Sequence, residues 1–165
     1  MRYSLKTAVL TFALAAAPLM SFPMVAHAQQ SSNTTASQPP IEQAQAATWA
    51  NVPTQSITAG GVDFAYRELG KQHGGTPVVL LAHLAAVLDN WDPRIVDGLA
   101  AQHHVIAFDN RGIGASSGSP SNSMEQMADD AITFIKAKGL QQVDLFGFSM
   151  GGMIAQEILR PSIAC

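Results

Sequence analysis

Cysteine is nearly absent from this sequence, because the only one among 165 residues is Cys165 at the last position. A lone cysteine cannot form a disulfide within the chain, so the fold must be stabilised by a hydrophobic core. Charged side chains are also few, at 13% of the residues, and the formal net charge is −3. No basic patch is visible, and nucleic acid is therefore excluded as an expected partner.

A long uninterrupted hydrophobic run is missing as well. The N-terminal apolar stretch is interrupted by Pro18 and Pro23, and a membrane span needs roughly 20 apolar residues. A short positively charged start precedes the stretch, and residues 26–28 (AHA) place small residues at the two positions that a signal peptidase reads. The pattern predicts that residues 1–28 are a cleaved signal peptide. We expect the mature protein to be exported, periplasmic or secreted, with no membrane attachment after cleavage.

The next segment, residues 29–53, is polar and low in complexity, and Glu42 is its only charged residue. This composition is typical of a flexible linker, with Trp49 as a residue that could dock on the domain surface. Residues 54–165 remain as the folding domain.

Strand-like and helix-like patterns alternate along this domain. Strands are predicted at residues 55–58, 62–69, 77–81, 104–108 and 143–146, and helices at residues 92–102, 123–138 and from 150 onward. This order indicates an α/β fold, with a mostly parallel sheet of about five strands and flanking helices. The first two strands, joined by Gly60 and Gly61, are expected to form an antiparallel edge.

Capping residues mark the helix ends. Asp92 is the predicted N-cap of the first helix, with Pro93 at its first position. Ser123 and Gln126 form a capping box for the second, which ends at Gly139. The residues expected to face the core are Ile95, Val96, Leu99 and Ala100 in the first helix, and Met127, Ala131, Phe134 and Ile135 in the second.

The strongest chemical signal is Gly147-Phe148-Ser149-Met150-Gly151, between a predicted strand and a predicted helix. In a G-x-S-x-G turn the serine lies on a sharp, strained bend that lifts its hydroxyl above the sheet, and glycines at both flanks relieve crowding. We therefore predict Ser149 as the nucleophile, within an elbow formed by Gly147 and Gly151. The amide of Met150 is the first predicted oxyanion donor, aided by the helix N-terminus.

A second donor is expected from residues 82–86, which follow the predicted strand "PVVLL". Ligands of parallel sheets bind at the carboxyl ends of the strands, so this loop and the serine turn should meet.

Three segments together resemble the α/β-hydrolase family over residues 55–157: "LLAHLAAVLDNWDPR", "VIAFDNRGIGASSG" and "DLFGFSMGGMIAQE". They are most similar to the branch of esterases, enol-lactonases and cofactor-free haloperoxidases. The resemblance implies that Ala85 supplies the second oxyanion amide, with Leu84 as the alternative. The family usually has glycine after the histidine at position 83, and this chain has Leu84 there.

Other motifs give weaker signals, and neither a cofactor nor a metal is expected. Gly112-Ile113-Gly114 would need glycine at position 117 to bind a dinucleotide, but Ser117 is there. By resemblance, Asp109 and Arg111 belong to a structural loop that ties neighbouring loops together. The adjacent His103 and His104 would point to opposite faces of a strand, which disfavours a metal site.

A serine nucleophile needs a histidine base and an orienting carboxylate, which follow it in this fold. The sequence after Ser149 contains neither histidine nor aspartate, and its one acid, Glu157, should point away from the site. His83 is a weaker candidate for the base, since the resemblance makes it structural. We expect a truncated or frame-shifted N-terminal part of an α/β-hydrolase domain, with the C-terminal half missing. Its last strand would then be an exposed sheet edge that promotes self-association.

These observations favour an exported serine hydrolase that acts through Ser149 on an ester, lactone or related acyl bond of a small molecule. Hydrolysis and perhydrolysis both stay open, since the family uses similar residues for both. The alternative is a catalytically inactive fragment or a binding module on the same scaffold, so enzymatic activity is left uncertain. A third hypothesis is that a partner subunit supplies the acid and base.

Overall fold

The structure is a computed structural model, and it describes residues 46–160. The predicted signal peptide and residues 29–45 of the predicted linker lie outside the described residues, as do residues 161–165. Within residues 46–160, no helix has the length and apolar character needed to cross a bilayer.

Five strands and three α-helices form the described part of the chain. In chain order they are β1 (Gln55–Ala59), β2 (Val62–Leu69), β3 (Val78–Leu81), α1 (Pro93–Ala100), β4 (Val105–Phe108), α2 (Met124–Ala137), β5 (Asp144–Gly147) and α3 (Met150–Leu159). Every predicted strand and helix is present. Two loops also contain a short 3₁₀ turn, at Lys71–His73 and Leu88–Asn90.

The sheet is mixed, with the strand order β1-β2-β4-β3-β5. β1 and β2 form the expected antiparallel hairpin, and β2 pairs with β4 in the antiparallel sense. β3 pairs in parallel with β4 on one side and with β5 on the other. The predicted α/β class is therefore confirmed, and β5 forms one edge of the sheet in the described residues.

Helices cover both faces of the sheet. On one face, α2 and α3 pack over an aromatic cluster in which Phe108 and Phe134 stack at 4.4 Å between ring centroids and Phe64 meets both edge-on. On the other face, Val96 of α1 and the preceding Trp91 pack against the strands. Because β3 is parallel to both β4 and β5, the carboxyl ends of these three strands lie at one rim of the sheet. Ligands bind at this rim in this architecture.

Trp49, the linker residue that the sequence indicated could dock on the domain, packs with Trp91 and Val96 on the face of the sheet that α1 covers. Its side chain is only 2% exposed, and its indole N–H donates to the carbonyl of Leu88 at 3.2 Å. Its backbone amide donates to the carboxylate of Asp97 at 2.7 Å. Residues 46–53 thus pack onto the folded unit, because the large indole buries more apolar surface there than a polar linker could.

Both predicted N-caps form, but the capping box at Ser123 is only half made, because the side chain of Gln126 donates to Asp130 and the amide of Ser123 donates to Ser121. One residue of the predicted apolar stripe also does not face the core. The carboxylate of Asp92 accepts from the amide of Arg94 at 2.9 Å, and the hydroxyl of Ser123 accepts from the amide of Gln126 at 3.1 Å. Ile95, predicted to be buried, is 47% exposed. It lies in the first turn of α1 and lines an open groove beside β5, where no further strand covers it among the described residues.

Candidate active site

Ser149 lies at the bend between β5 and α3, in a backbone conformation that side chains rarely adopt. Its φ is 55° and its ψ is −117°, and its side chain does not cap the helix that follows. Such a conformation costs about 1–3 kcal/mol and persists only where the surrounding structure imposes it. This is the strained strand-to-helix bend that the sequence motif predicts.

The two flanking glycines allow the bend because the backbone passes too close for any side chain. A Cβ at Gly147 would lie 2.4 Å from the carbonyl oxygen of Gly151, and a Cβ at Gly151 would lie 1.9 Å from that of Leu81. The amide of Phe148 also donates to the carbonyl of Leu81 at 3.0 Å. The elbow is therefore held directly against the carboxyl end of β3.

The loop after β3 forms a tight turn over residues 83–86. The amide of Ala86 donates to the carbonyl of His83 at 3.1 Å, and Ala85, at the third position, has a φ of 58°. The positive φ falls on Ala85 and not on Leu84, whose side chain is 70% exposed. The turn forms without a glycine after the histidine, since residue 84 does not need one.

Two loops present unpaired backbone donors. Among residues 46–160, the amides of Met150, Leu84 and Ala85 donate no hydrogen bond to another protein group. These three residues also line one cavity of about 230 Å³ between the elbow, the turn at 83–86 and the loop after β4. The two sequence-predicted oxyanion residues, Met150 and Ala85, thus border the same space. Leu84, the alternative donor, borders it too.

Asp109 and Arg111, assigned from the sequence to a structural loop, both tie segments together. The buried carboxylate of Asp109 accepts from the amides of Leu88 at 2.8 Å and Ala115 at 3.0 Å. Burial raises the pKa of Asp109, and these two hydrogen bonds oppose the rise only in part. Arg111 donates through Nε to Asp130 at 2.8 Å and through a second N–H to the other carboxylate oxygen.

The sequence did not reveal that Asp130 belongs beside the site. It lies 19 residues from Arg111, in the middle of α2, and its side chain is only 7% exposed. No local pattern marks such a pair. The one available signal for Asp130 alone was an acidic residue at a position within the apolar stripe of the predicted helix.

Within residues 46–160, the hydroxyl of Ser149 has no hydrogen-bond partner that could serve as a base. Nδ1 of His83 lies 3.1 Å from the carbonyl of Leu84, and its ring meets that of Phe148 edge-on. Glu157 pairs with Arg160 at 3.3 Å, consistent with its expected direction away from the site. The described residues therefore combine a strained serine with amide donors but contribute no base in contact with it.

The paired histidines separate as expected from their adjacent positions. His104 is buried and lies 3.0 Å from the carboxylate of Glu68, whereas His103 is exposed. Among residues 46–160, no group of three or more metal-ligating side chains comes together.

A family model described as the alpha/beta hydrolase fold matches residues 76–160. Among curated proteins, the chain is 34% identical over 99 residues to BpoC of Mycobacterium tuberculosis, named as a non-heme bromoperoxidase. It is 35% identical over 101 residues to RutD of Azorhizobium caulinodans, named as a carbamate hydrolase. These matches cover 59% and 60% of this chain, and 37% of each relative. The chain thus spans well under half the length of the curated relatives it matches.

Solved structures show the same architecture. An alpha/beta hydrolase fold protein from Chitinophaga pinensis superposes with a TM-score of 0.65 at 39% identity, covering 70% of this chain and 42% of that protein. The enol-lactonase from Burkholderia xenovorans superposes with a TM-score of 0.55 at 28% identity, covering 61% of this chain and 39% of the enzyme.

Proposed function

The chain belongs to the α/β hydrolase fold family, and from this membership we propose that it carries the nucleophile and oxyanion donors of a serine hydrolase. Ser149 is the proposed nucleophile, and the amides of Met150 and Ala85 are the proposed oxyanion donors. The substrate is an ester, a lactone or a related acyl compound of small size. One observation carries the proposal: a serine at positive φ directly precedes Met150, and Met150 lines one cavity together with Ala85.

The proposed reaction follows from this arrangement. The oxygen of Ser149 attacks the acyl carbon, and the carbonyl oxygen gains negative charge. The two amides stabilise that charge, and each donor raises the rate by a factor of roughly 10²–10³. The serine proton passes to a base and then to the leaving group, and water later releases the acyl group from the serine. In the chain order of the fold the base follows the serine, so we propose that it is a histidine that residues 150–165 do not supply.

The names of the relatives support an acyl substrate class. Two relatives are named as an enol-lactonase and a carbamate hydrolase, and a lactone and a carbamate each contain a carbonyl bonded to a heteroatom. Attack by a serine and stabilisation of an oxyanion suit both bond types. One relative is named as a bromoperoxidase, so we retain perhydrolysis as a second candidate reaction. In that reaction, peroxide replaces water in the attack on the same acyl-enzyme.

Export is a separate proposal, supported by the N-terminal sequence pattern alone. Cleavage after residue 28 would leave Gln29 as the first residue of the mature protein. N-terminal sequencing of protein from the periplasm and the medium tests this. Intact residues 1–28 in a cytoplasmic fraction would contradict it.

The catalytic proposal is tested by intact mass spectrometry of the protein made from its native gene, before and after a fluorophosphonate probe. We expect one adduct per chain, located on Ser149 and absent from Ser149→Ala. Ser119→Ala is the matched control, because Ser119 is an exposed serine in the loop after β4, and this variant should be labelled normally.

Ester turnover by the same preparations gives a second readout. Loss of the nucleophile should lower kcat by roughly 10⁴-fold or more. Absence of any adduct on the unmodified protein would favour the alternative, an inactive hydrolase fragment or a binding module on this scaffold.

A further inference from the structure

The cavity of about 230 Å³ beside the proposed oxyanion amides has more walls than an oxyanion site needs. It extends from Ala85 and Met150 to the loop after β4 and to α2, where Ile113, Met127, Arg111 and Asp130 line it. Ala85 and Met150, the two residues proposed to bind the carbonyl oxygen, form only one part of its lining. The rest of the cavity is space for whatever the carbonyl carbon bears.

We propose that this cavity binds the acyl group of the substrate, and that it selects an uncharged acyl group of limited length. The proposal rests on the proposed function, since it uses the same serine and the same two amides. The alcohol must leave after the first step, so it needs an open path, whereas the acyl group stays attached to the serine. A cavity walled by two loops and a helix therefore suits the acyl group.

The size of the cavity sets the length. At ~30 Å³ for each non-hydrogen atom, the volume of a water molecule in the liquid, the space holds about eight atoms. It is also smaller than the ~300–1,000 Å³ usual for pockets that hold drug-sized ligands. A six-carbon acyl chain fits, whereas a twelve-carbon chain does not. Met127 lines the cavity from α2, so its side chain limits the available length.

The charges in the wall set the polarity. Arg111 alone would attract a carboxylate, but its guanidinium donates two hydrogen bonds to Asp130. Asp130 also accepts from the side-chain amide of Gln126 at 3.2 Å. Because the positive charge of Arg111 is already neutralised by a largely buried partner, an acyl group that ends in a carboxylate gains little and loses its hydration.

The experiment measures how well esters protect Ser149 of the full chain from fluorophosphonate labelling. The competitors are ethyl hexanoate, ethyl dodecanoate and monoethyl adipate, which has six acyl carbons and a terminal carboxylate. We expect ethyl hexanoate to protect at concentrations ~10-fold lower than either of the others. Equal protection by all three esters would overturn the proposal and leave the proposed function intact.

Two variants test the wall residues with matched controls. Asp130→Asn keeps the size of the side chain but frees the charge of Arg111, so protection by monoethyl adipate should improve ~10-fold relative to ethyl hexanoate. Asp129 is an exposed neighbour on the same helix, so Asp129→Asn makes the same charge change away from Arg111. This variant should alter the protection by neither ester. Equal shifts in the two variants would contradict the assignment of polarity to the Arg111–Asp130 pair.

Met127→Ala tests length independently of charge. It should improve protection by ethyl dodecanoate ~10-fold. Met153→Ala, at an exposed methionine of α3 that lines a different groove, should not. An unchanged preference in Met127→Ala would overturn the length limit. Absence of labelling in the unmodified chain would instead remove the proposed function, and this inference with it.

Discussion

At the scale of single residues, the candidate site depends on two backbone conformations that most side chains avoid. Ser149 and Ala85 are the non-glycine residues with positive φ in the described part of the chain. Ser149 directly precedes Met150, and Ala85 lines the same cavity as Met150. Strain of this kind concentrates at functional sites, where the surrounding structure holds it. The proposed function requires the hydroxyl of a serine at 149, but nothing in the turn at 83–86 requires alanine at 85.

Ala85→Gly should therefore stabilise the protein by about 0.5–1 kcal/mol. Glycine removes the penalty of a left-handed backbone, and the gain is only partly offset by the greater freedom of the unfolded chain. Chemical unfolding followed by circular dichroism measures the difference. Ala101→Gly is the control: Ala101 is exposed with a φ of −62°, so glycine should destabilise there by about 0.5–1 kcal/mol. Equal losses in both variants would contradict strain at Ala85.

Gly151 and Gly152 provide a sharper comparison, because they are neighbours in the same helix. A Cβ at position 151 would lie 1.9 Å from the carbonyl oxygen of Leu81, whereas one at 152 would lie 3.7 Å from the carbonyl oxygen of Gly147. Gly151→Ala should destabilise the fold by ~3 kcal/mol or more, since the elbow must move away from β3. Gly152→Ala should be neutral or stabilising by up to ~1 kcal/mol. Unfolding curves of the two variants measure both, and similar values would contradict the close approach.

At the scale of elements, β5 connects the site to an exposed sheet edge. In the described residues it pairs with β3 on one side only, and it bears Phe146, which is 41% exposed, followed by Phe148 at 57%. An edge strand with unpaired backbone groups and apolar side chains is a template for pairing with another chain. The other edge strand, β1, is polar at its exposed positions Gln55, Ser56 and Thr58.

We predict that this chain self-associates through β5. Phe146→Lys should shift sedimentation towards the monomer, because a charge on an edge strand opposes pairing. Ser56→Lys adds the same charge to the exposed β1 edge and should leave the association unchanged. A monomer at every concentration of the unmodified chain would rule out the prediction.

At the scale of the whole molecule, a charged cluster joins the end of β2 and the start of β4 to the residue after α2. The carboxylate of Glu68 at the end of β2 lies 3.0 Å from His104, 3.3 Å from Lys138 after α2, and 3.7 Å from Lys71. Burial raises the pKa of Glu68, but Lys138 and the hydrogen bond from His104 outweigh burial, and the net result is a lowered pKa.

The sign of this shift predicts acid sensitivity. A lowered folded pKa means that Glu68 stabilises the fold above its ordinary pKa of 4.5, and that this contribution is lost as pH falls through the folded value. Glu68→Gln should therefore cost ~1–3 kcal/mol at neutral pH and progressively less below pH 4.5. Asp109 contributes with the opposite sign, because its pKa is raised, but it is present in both proteins and cancels in the difference.

Denaturant unfolding of both proteins between neutral pH and pH 3 measures that difference. Asp129→Asn, at an exposed carboxylate outside the cluster, serves as the control and should give a small difference at every pH. A constant difference between Glu68→Gln and the unmodified protein across this range would contradict the assigned role of Glu68.

The sequence by itself was sufficient wherever the controlling interaction spans only a few residues. The caps at Asp92 and Ser123, the hairpin at Gly60 and Gly61, and the bend at Ser149 are built from hydrogen bonds and steric limits between near neighbours, so local patterns reveal them. The alternation of strands and helices indicated the α/β class for the same reason.

The tertiary structure decided what depends on residues distant in sequence. It placed β4 between β2 and β3, buried Trp49 against Leu88, left Ile95 exposed beside the β5 edge, and joined Arg111 to Asp130 at the cavity wall. It also put the positive φ at Ala85, a position that the sequence pattern does not mark. These outcomes depend on which surfaces pack together and on the closure of long loops, and only the assembled core selects among the alternatives that local patterns allow.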